Sequence, residues 1–431
     1  MQNTNENKKT SKDVKGIVLK WLFFVTLAAA IVGYTTLAIQ IFVFDYDVCG
    51  WFPDFAEVLS YCKVGNPYDG SSGITAIYPP ISFLIFLPFL IFCHNEIGDL
   101  LAGKCNLLTI STRPMFNFAF LIYFLITAVL SLLIIAKMTK LKGKNLFYLI
   151  GTIVLSGPFY FIFNRGNIVF ATFLFILIFF WLYQSEKRWQ RELALVSLAL
   201  AIAMKIYPVF VVLVLFKDRR WLDILKTGVY ATLFVFVPFV FIEGNMIDNI
   251  KCIFDSYDRL VNIGGAFIGA STSFDGMGIE IAYLFEKGLG VDISYGMHIL
   301  TTILKFALVI VSVVTLFVCY KSERKLEVAS IAIGCYLLFQ SVSYAYVFVF
   351  TFILFALFLN TMENYRKADV IMYSLLFGII FFSVPFFFRN CTVQFFALVV
   401  LVVKAIVKLW SDFAITVKNK KNAVRSATTE Y

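Results

Sequence analysis

Residues 116–136 read FNFAFLIYFLITAVLSLLIIA, and 137–144 follow at once as KMTKLKGK. An uncharged run of that length carries a helix across the ~30 Å of a bilayer's hydrocarbon core. The four lysines closing it mark the end left in the cytoplasm under the positive-inside rule. Working outward, similar runs occur at 17–43, 145–162, 167–184, 193–204, 206–216, 224–242, 299–320, 327–343, 344–360, 369–388 and 393–410. With 116–136 they make about twelve expected crossings, so the fold class is an all-α polytopic membrane protein. Composition agrees: 60% of the residues are hydrophobic, 15% are charged, 50 are Phe, and the mean hydropathy is +0.85. A soluble fold of 431 residues would lack the polar side chains to cover its surface, and disorder and a secreted disulfide scaffold are excluded with it.

The net charge of +10 raises the question of a nucleic-acid partner. Its distribution answers no. With both termini cytoplasmic, the inner segments are 1–16, 137–144, 185–192, 217–226, 321–325, 361–368 and the tail after 411. They hold 24 of the 37 Lys and Arg, while the outer segments are net acidic. The organisation expected is a cytoplasmic tail at 1–16, one transmembrane domain at 17–410 and a cytoplasmic tail at 411–431, the polar ends lacking fixed structure. The first apolar run is too long for a signal peptide. Two outer loops, 44–115 and 243–298, exceed the length of connectors. The apolar stretch 81–93 in the first would, as a crossing, invert every later loop, so it is expected as an interfacial or re-entrant helix. The short pair 193–204 and 206–216 reads as a hairpin with Lys205, Tyr207 and Pro208 at its turn, broken backbone that needs a cavity or protein around it.

The candidate chemistry lies on the outer side. Phe44-Asp45-Tyr46-Asp47 opens the first loop, Pro53-Asp54-Phe55 follows, then Gly65-Asn66-Pro67-Tyr68-Asp69 and Tyr78-Pro79-Pro80. An Asp here suits a general base acting on a hydroxyl, or equally a solvated turn or cap. Asp45 and Asp47 have the spacing of a divalent-cation pair, a spacing also common by chance. Asn164-Arg165-Gly166-Asn167 combines a guanidinium fork, amide donors and a glycine permitting close approach, a set suited to phosphate, or to a surface turn. Lys205, an ionisable group in an apolar hairpin, is either functional or a snorkelling lysine. Residues 269–278, GASTSFDGMG, could serve as a gate or acceptor loop, and Gln340, Ser341, Ser343, Tyr344 and Tyr346 form a polar aromatic group suited to carbohydrate hydroxyls. His94 and His298 are the only histidines, which excludes a His-rich metal site. The eight Cys contain no CxxC pair, and any disulfide pairing stays open.

Asp54-Phe55, the Gly65–Asp69 motif, Tyr78-Pro79-Pro80 with Leu87-Pro88, Asn164–Asn167, and Lys205-Ile206-Tyr207-Pro208 ahead of Arg219-Arg220-Trp221 together resemble glycosyltransferase family 87 over roughly residues 17–225. The resemblance implies a GT-C-type bundle whose first outer loop carries interfacial helices. It also implies a polyprenyl-phosphate sugar donor, such as polyprenyl-phosphate mannose, and a lipid or glycan acceptor. Transfer would be inverting, with no cofactor and no metal, and Asp54 is the best match to the family's first-loop general base. Arg165 and Lys205 are the cations expected at the donor phosphate, with Asn164, Asn167, Tyr207, Tyr78 and Asp47 as further substrate-binding candidates. A bacterial-type inner membrane fits best. Two alternatives share the topology: a lipid-linked glycan flippase or transporter, which would want ionisable groups spread through several helices, and an O-antigen-type polymerase, which would want a later loop richer in Arg than 243–298.

Overall fold

The computed structural model describes residues 14–33, 35, 52–70, 75–107, 109–262, 272–341, 343–382 and 391–429. All regular elements among them are helical. Among the described residues six helices are long and apolar enough to cross a membrane: Val14–Gly33 (α1), Pro114–Thr139 (α5), Trp221–Phe241, Ser294–Val318 (α14), Ala345–Asn364 and Thr392–Asn419. The run 145–162 is not one straight helix. Gly143–Val154 (α6) and Gly157–Arg165 (α7) meet at 51°, with Pro158 in the first turn of α7, and together they would make a seventh crossing.

The remaining apolar runs are helices of fewer than 18 residues. Val169–Leu182 (α8) has 14 residues and Lys325–Phe339 (α15) has 15, lengths of about 20 Å at 1.5 Å per residue. Among the described residues six to seven helices reach full crossing length, and the rest of the about twelve apolar runs are shorter. The helices come out shorter than the runs because a sequence run counts apolar residues that belong to turns and 3-10 segments as well as to helices. The tail also differs from expectation: helix Thr392–Thr429 (α18) continues through the polar residues beyond 411.

Helix α15 and helix Thr351–Thr361 (α16) form the centre. Nearly every residue of both is buried, including Tyr336, Phe352, Phe355 and Phe358. A helix apolar on all sides is stable only when surrounded, and α15 packs on α18, α14 and α16. By contrast α14 exposes Ile303, Phe306, Ile310 and Phe317, the pattern of a lipid-facing helix.

A separate helical layer is built from the 44–115 segment. Pro53–Lys63 (α2) packs against Leu87–Leu101 (α4) and touches α7; the four-residue helix Ile81–Leu84 (α3) lies between them in sequence. The stretch 81–93 is thus helical but broken, at Ile85–Phe86 and again by non-helical backbone at Cys93. The two long loops dock on each other, with the Glu243 amide donating to the Gly65 carbonyl at 3.1 Å and Asn66 Nδ2 donating to Asn249 Oδ1 at 3.0 Å.

Candidate functional site

Asp54 is the second residue of α2, placed there by Pro53, whose missing N–H is harmless in a first helical turn. Preceding it, Phe52 has left-handed backbone, φ 62°, an unfavourable state for a bulky residue. Two contacts hold it. The Phe52 amide donates to the Asn164 carbonyl at 2.8 Å, and its ring stacks on Phe120 and meets Phe163 edge-on. Opposite stands Gly166, also left-handed at φ 64°, which ends α7. A Cβ on it would lie 2.9 Å from Phe55 Cβ and 3.3 Å from Phe52 Cβ, so only glycine lets the chains approach this closely.

That approach joins residues far apart in sequence. The Arg165 guanidinium grips the Asp54 carboxylate through both ends of its fork, Nη2 to Oδ1 and Nε to Oδ2 at 3.1 Å. Asn167 Nδ2 donates to Asp54 Oδ2 at 2.6 Å. Asn167 is itself fixed: its Oδ1 accepts from the Val169 amide at 2.9 Å, and its carbonyl accepts from Tyr123 Oη at 3.1 Å. The Asp54 side chain is 10% exposed and that of Arg165 44%, so the carboxylate is enclosed while the guanidinium reaches an open side. A carboxylate has about four lone-pair positions, and three N–H donors leave one on Oδ1.

Tyr78, Tyr344 and Tyr346 lie within electrostatic range of this pair, with the Tyr78 side chain hydrogen-bonded to Asn167. Lys205 occupies extended backbone just after helix Arg188–Met204 (α9). Its ammonium lies 5.9 Å from the Tyr346 ring centre and within electrostatic range of Asp54. The structure therefore brings together Asp54, Arg165, Asn167, Tyr78 and Lys205. Asn164 contributes its carbonyl, through the bond to Phe52.

Tyr207 is placed elsewhere. Its hydroxyl pairs with that of Tyr257 at 2.6 Å, on the side of a second polar group in which Lys305 binds Asp275 at 2.5 Å and Ser341 at 3.5 Å. The cause is the break after Lys205: Tyr207 opens a 3-10 segment, Tyr207–Val212, which turns it away from its neighbour two residues earlier. Asp45 and Asp47 lie outside the described residues, as do 269–271 of the GASTSFDGMG stretch. Cys62, Cys93, Cys105 and Cys252 are free thiols among the described residues.

Sequence reasoning missed Glu57 and Tyr61. Both face the Asp54 region, and the signal was available, since positions 54, 57 and 61 follow the i, i+3, i+7 rhythm of one helix face. The Tyr61 hydroxyl donates to Glu57 Oε1 at 2.5 Å. Burial raises the Glu57 carboxyl above its ordinary 4.5, opposed by the Tyr61 hydrogen bond and reinforced by the charge of Asp54.

No curated protein and no solved structure matches the chain significantly. The sequence profile of glycosyltransferase family 87 matches residues 76–343. The match reaches well past residue 225, where the resemblance in sequence motifs ended, and it begins after Asp54. It contains Tyr78, Asn164, Arg165, Asn167, Lys205 and Tyr207, so Asp54 is tied to the matched region by contacts to Arg165 and Asn167. A chain whose described regular elements are all helical, with at least six helices fit to span a bilayer and a profile match over more than half its length, belongs to glycosyltransferase family 87.

Proposed function

We propose that this membrane glycosyltransferase moves a hexose, mannose first among the candidates, from a polyprenyl-phosphate donor to a hydroxyl of a lipid or glycan acceptor. The observation that carries the reading is the enclosed Asp54 carboxylate held by Arg165 and Asn167, with Lys205 nearby. Asp54 takes the proton of the acceptor hydroxyl. That oxygen attacks the anomeric carbon from the face opposite the phosphate, giving inversion, and the bond from carbon to phosphate oxygen breaks with its electron pair leaving on the phosphate. Arg165 and Lys205 stabilise the departing charge, and no nucleotide is needed.

The geometry gives Arg165 two partners in turn. In the structure its fork engages both oxygens of Asp54, which weakens a base. A donor phosphate offers the same bidentate match, and drawing Arg165 toward it makes Asp54 the stronger base once donor is bound. Asn167 keeps the carboxylate oriented meanwhile.

The Lys and Arg distribution supports both termini in the cytoplasm of a bacterial-type inner membrane, with the site on the opposite face. The shorter helices would complete a bundle of about twelve membrane segments. Membranes containing the protein, given radiolabelled polyprenyl-phosphate mannose and other polyprenyl-phosphate hexoses, should pass label into the lipid or glycan fraction. Incorporation only from nucleotide sugars would overturn the reading.

A further inference from the structure

Glu57 is unused by the mechanism above, yet it is the nearest other carboxyl group on the same helix face as Asp54. Among the described residues it makes no ion pair. The groups facing it are Asp54 and Tyr61 from α2, Tyr78 from the segment before α3, and Arg165 from α7. Helix α4 presents Cys93 and the His94 carbonyl to the far end of α2, at Cys62 and Lys63. Among the described residues the one cation facing Glu57, Arg165, is committed to Asp54.

We propose that Glu57 holds the acceptor, its carboxyl group hydrogen-bonding the hydroxyl next to the one that Asp54 deprotonates, which makes the acceptor a vicinal diol on a sugar or cyclitol ring. The inference rests on the transferase reading above. Three observations carry it. Residues three apart on a helix have Cβ atoms about 5–6 Å apart, a separation two carboxyl groups bridge when each takes one of two neighbouring ring hydroxyls. Tyr61 donates to Glu57 Oε1, so a protonated Glu57 accepts on one oxygen and offers its own O–H from the other. Burial and the Asp54 charge both favour that protonated form. Two adjacent carboxyls with opposite protonation states thus divide the work: Asp54 accepts a proton and Glu57 donates a hydrogen bond. An isolated alcohol, such as a serine side chain, would leave Glu57 without a partner.

The test uses the full-length protein in membranes, radiolabelled polyprenyl-phosphate mannose as donor, and a separately prepared lipid and glycan extract as the acceptor source. Periodate cleaves vicinal diols, so extract treated with periodate and quenched should lose acceptor activity toward the untreated protein. Retained transfer overturns the diol assignment. Glu57→Ala should lower transfer about 10- to 100-fold, the worth of one hydrogen bond to a charged or strongly polar partner, whereas Glu57→Gln, which keeps a donor and an acceptor, should stay within about fivefold of wild type. Wild-type transfer should fall as pH rises and Glu57 ionises, a fall Glu57→Gln should lack. A Glu57→Ala protein as active as wild type, or a Glu57→Gln protein as impaired as Glu57→Ala with an unchanged pH profile, removes Glu57 from acceptor binding. A wild-type protein inactive with every polyprenyl-phosphate sugar instead removes the transferase reading, and this inference falls with it.

Discussion

Arg165 and Asp54 lie 111 residues apart in the chain and form a two-pronged ion pair, joined where the N-terminus of α2 meets the C-terminus of α7. The pair is a planar match that only a guanidinium makes. Arg165→Lys keeps the charge and loses the fork, so it should lower transfer by about 10²-fold, a loss typical of removing one group that stabilises developing charge. It should also weaken competition by added polyprenyl phosphate. Steady-state assays with that competitor check both effects, and unchanged competition would separate Arg165 from the phosphate.

Gly166 allows that pair to form. Its left-handed backbone and the 2.9 Å approach of a would-be Cβ to Phe55 both forbid a side chain. Gly166→Ala should cost about 1–3 kcal/mol in strain and lower the melting temperature in detergent by several degrees. Activity should fall further than stability, since the shift moves Arg165 and Asn167 off Asp54.

Glu57 makes stability depend on pH in a definite direction. Its folded-state pKa is raised, by burial first, so the fold favours the protonated form. The stabilisation is fully present below the ordinary value of 4.5 and is lost as pH rises through the raised folded value. Thermal unfolding in detergent should show wild-type stability declining over that range relative to Glu57→Gln, with the two converging at acid pH.

Lys205 has a looser role, as a point charge near the Tyr346 ring and in range of Asp54. Lys205→Met keeps the apolar stem and removes the ammonium. Transfer at low donor concentration should fall about 10-fold, since the interaction is electrostatic and partly exposed, while acceptor dependence should hardly change. A loss confined to the acceptor would place Lys205 on the other substrate.

Much of this was legible in the sequence because bilayer physics writes itself into composition. Uncharged runs ending in KMTKLKGK or KDRR announce helices, and Lys205 in an apolar hairpin announces broken backbone. Helix length was less legible: α8 and α15 are as apolar as full crossings, but their ends fall at turns that hydropathy does not register. Asp54, Arg165 and Asn167 were readable as separate polar residues in apolar surroundings, whereas their contact depends on Phe52 and Gly166 adopting left-handed backbone together. Glu57 was overlooked because a lone Glu on a short helix reads as a solvated face until its burial beside Tyr61 is seen. Tyr207 was grouped with Lys205 by adjacency, and the 3-10 segment that parts them leaves no clear mark in composition.

The central claim is that Asp54 is the base for transfer from a polyprenyl-phosphate sugar. Asp54→Asn keeps the shape and an acceptor for Arg165 but cannot take a proton at neutral pH. The direct measurement is label transferred from polyprenyl-phosphate mannose, or the hexose the protein proves to use, by wild type and Asp54→Asn present at equal amounts in the membrane. The account predicts a loss of at least about 10²-fold with donor binding retained. Transfer by Asp54→Asn at near the wild-type rate would contradict it.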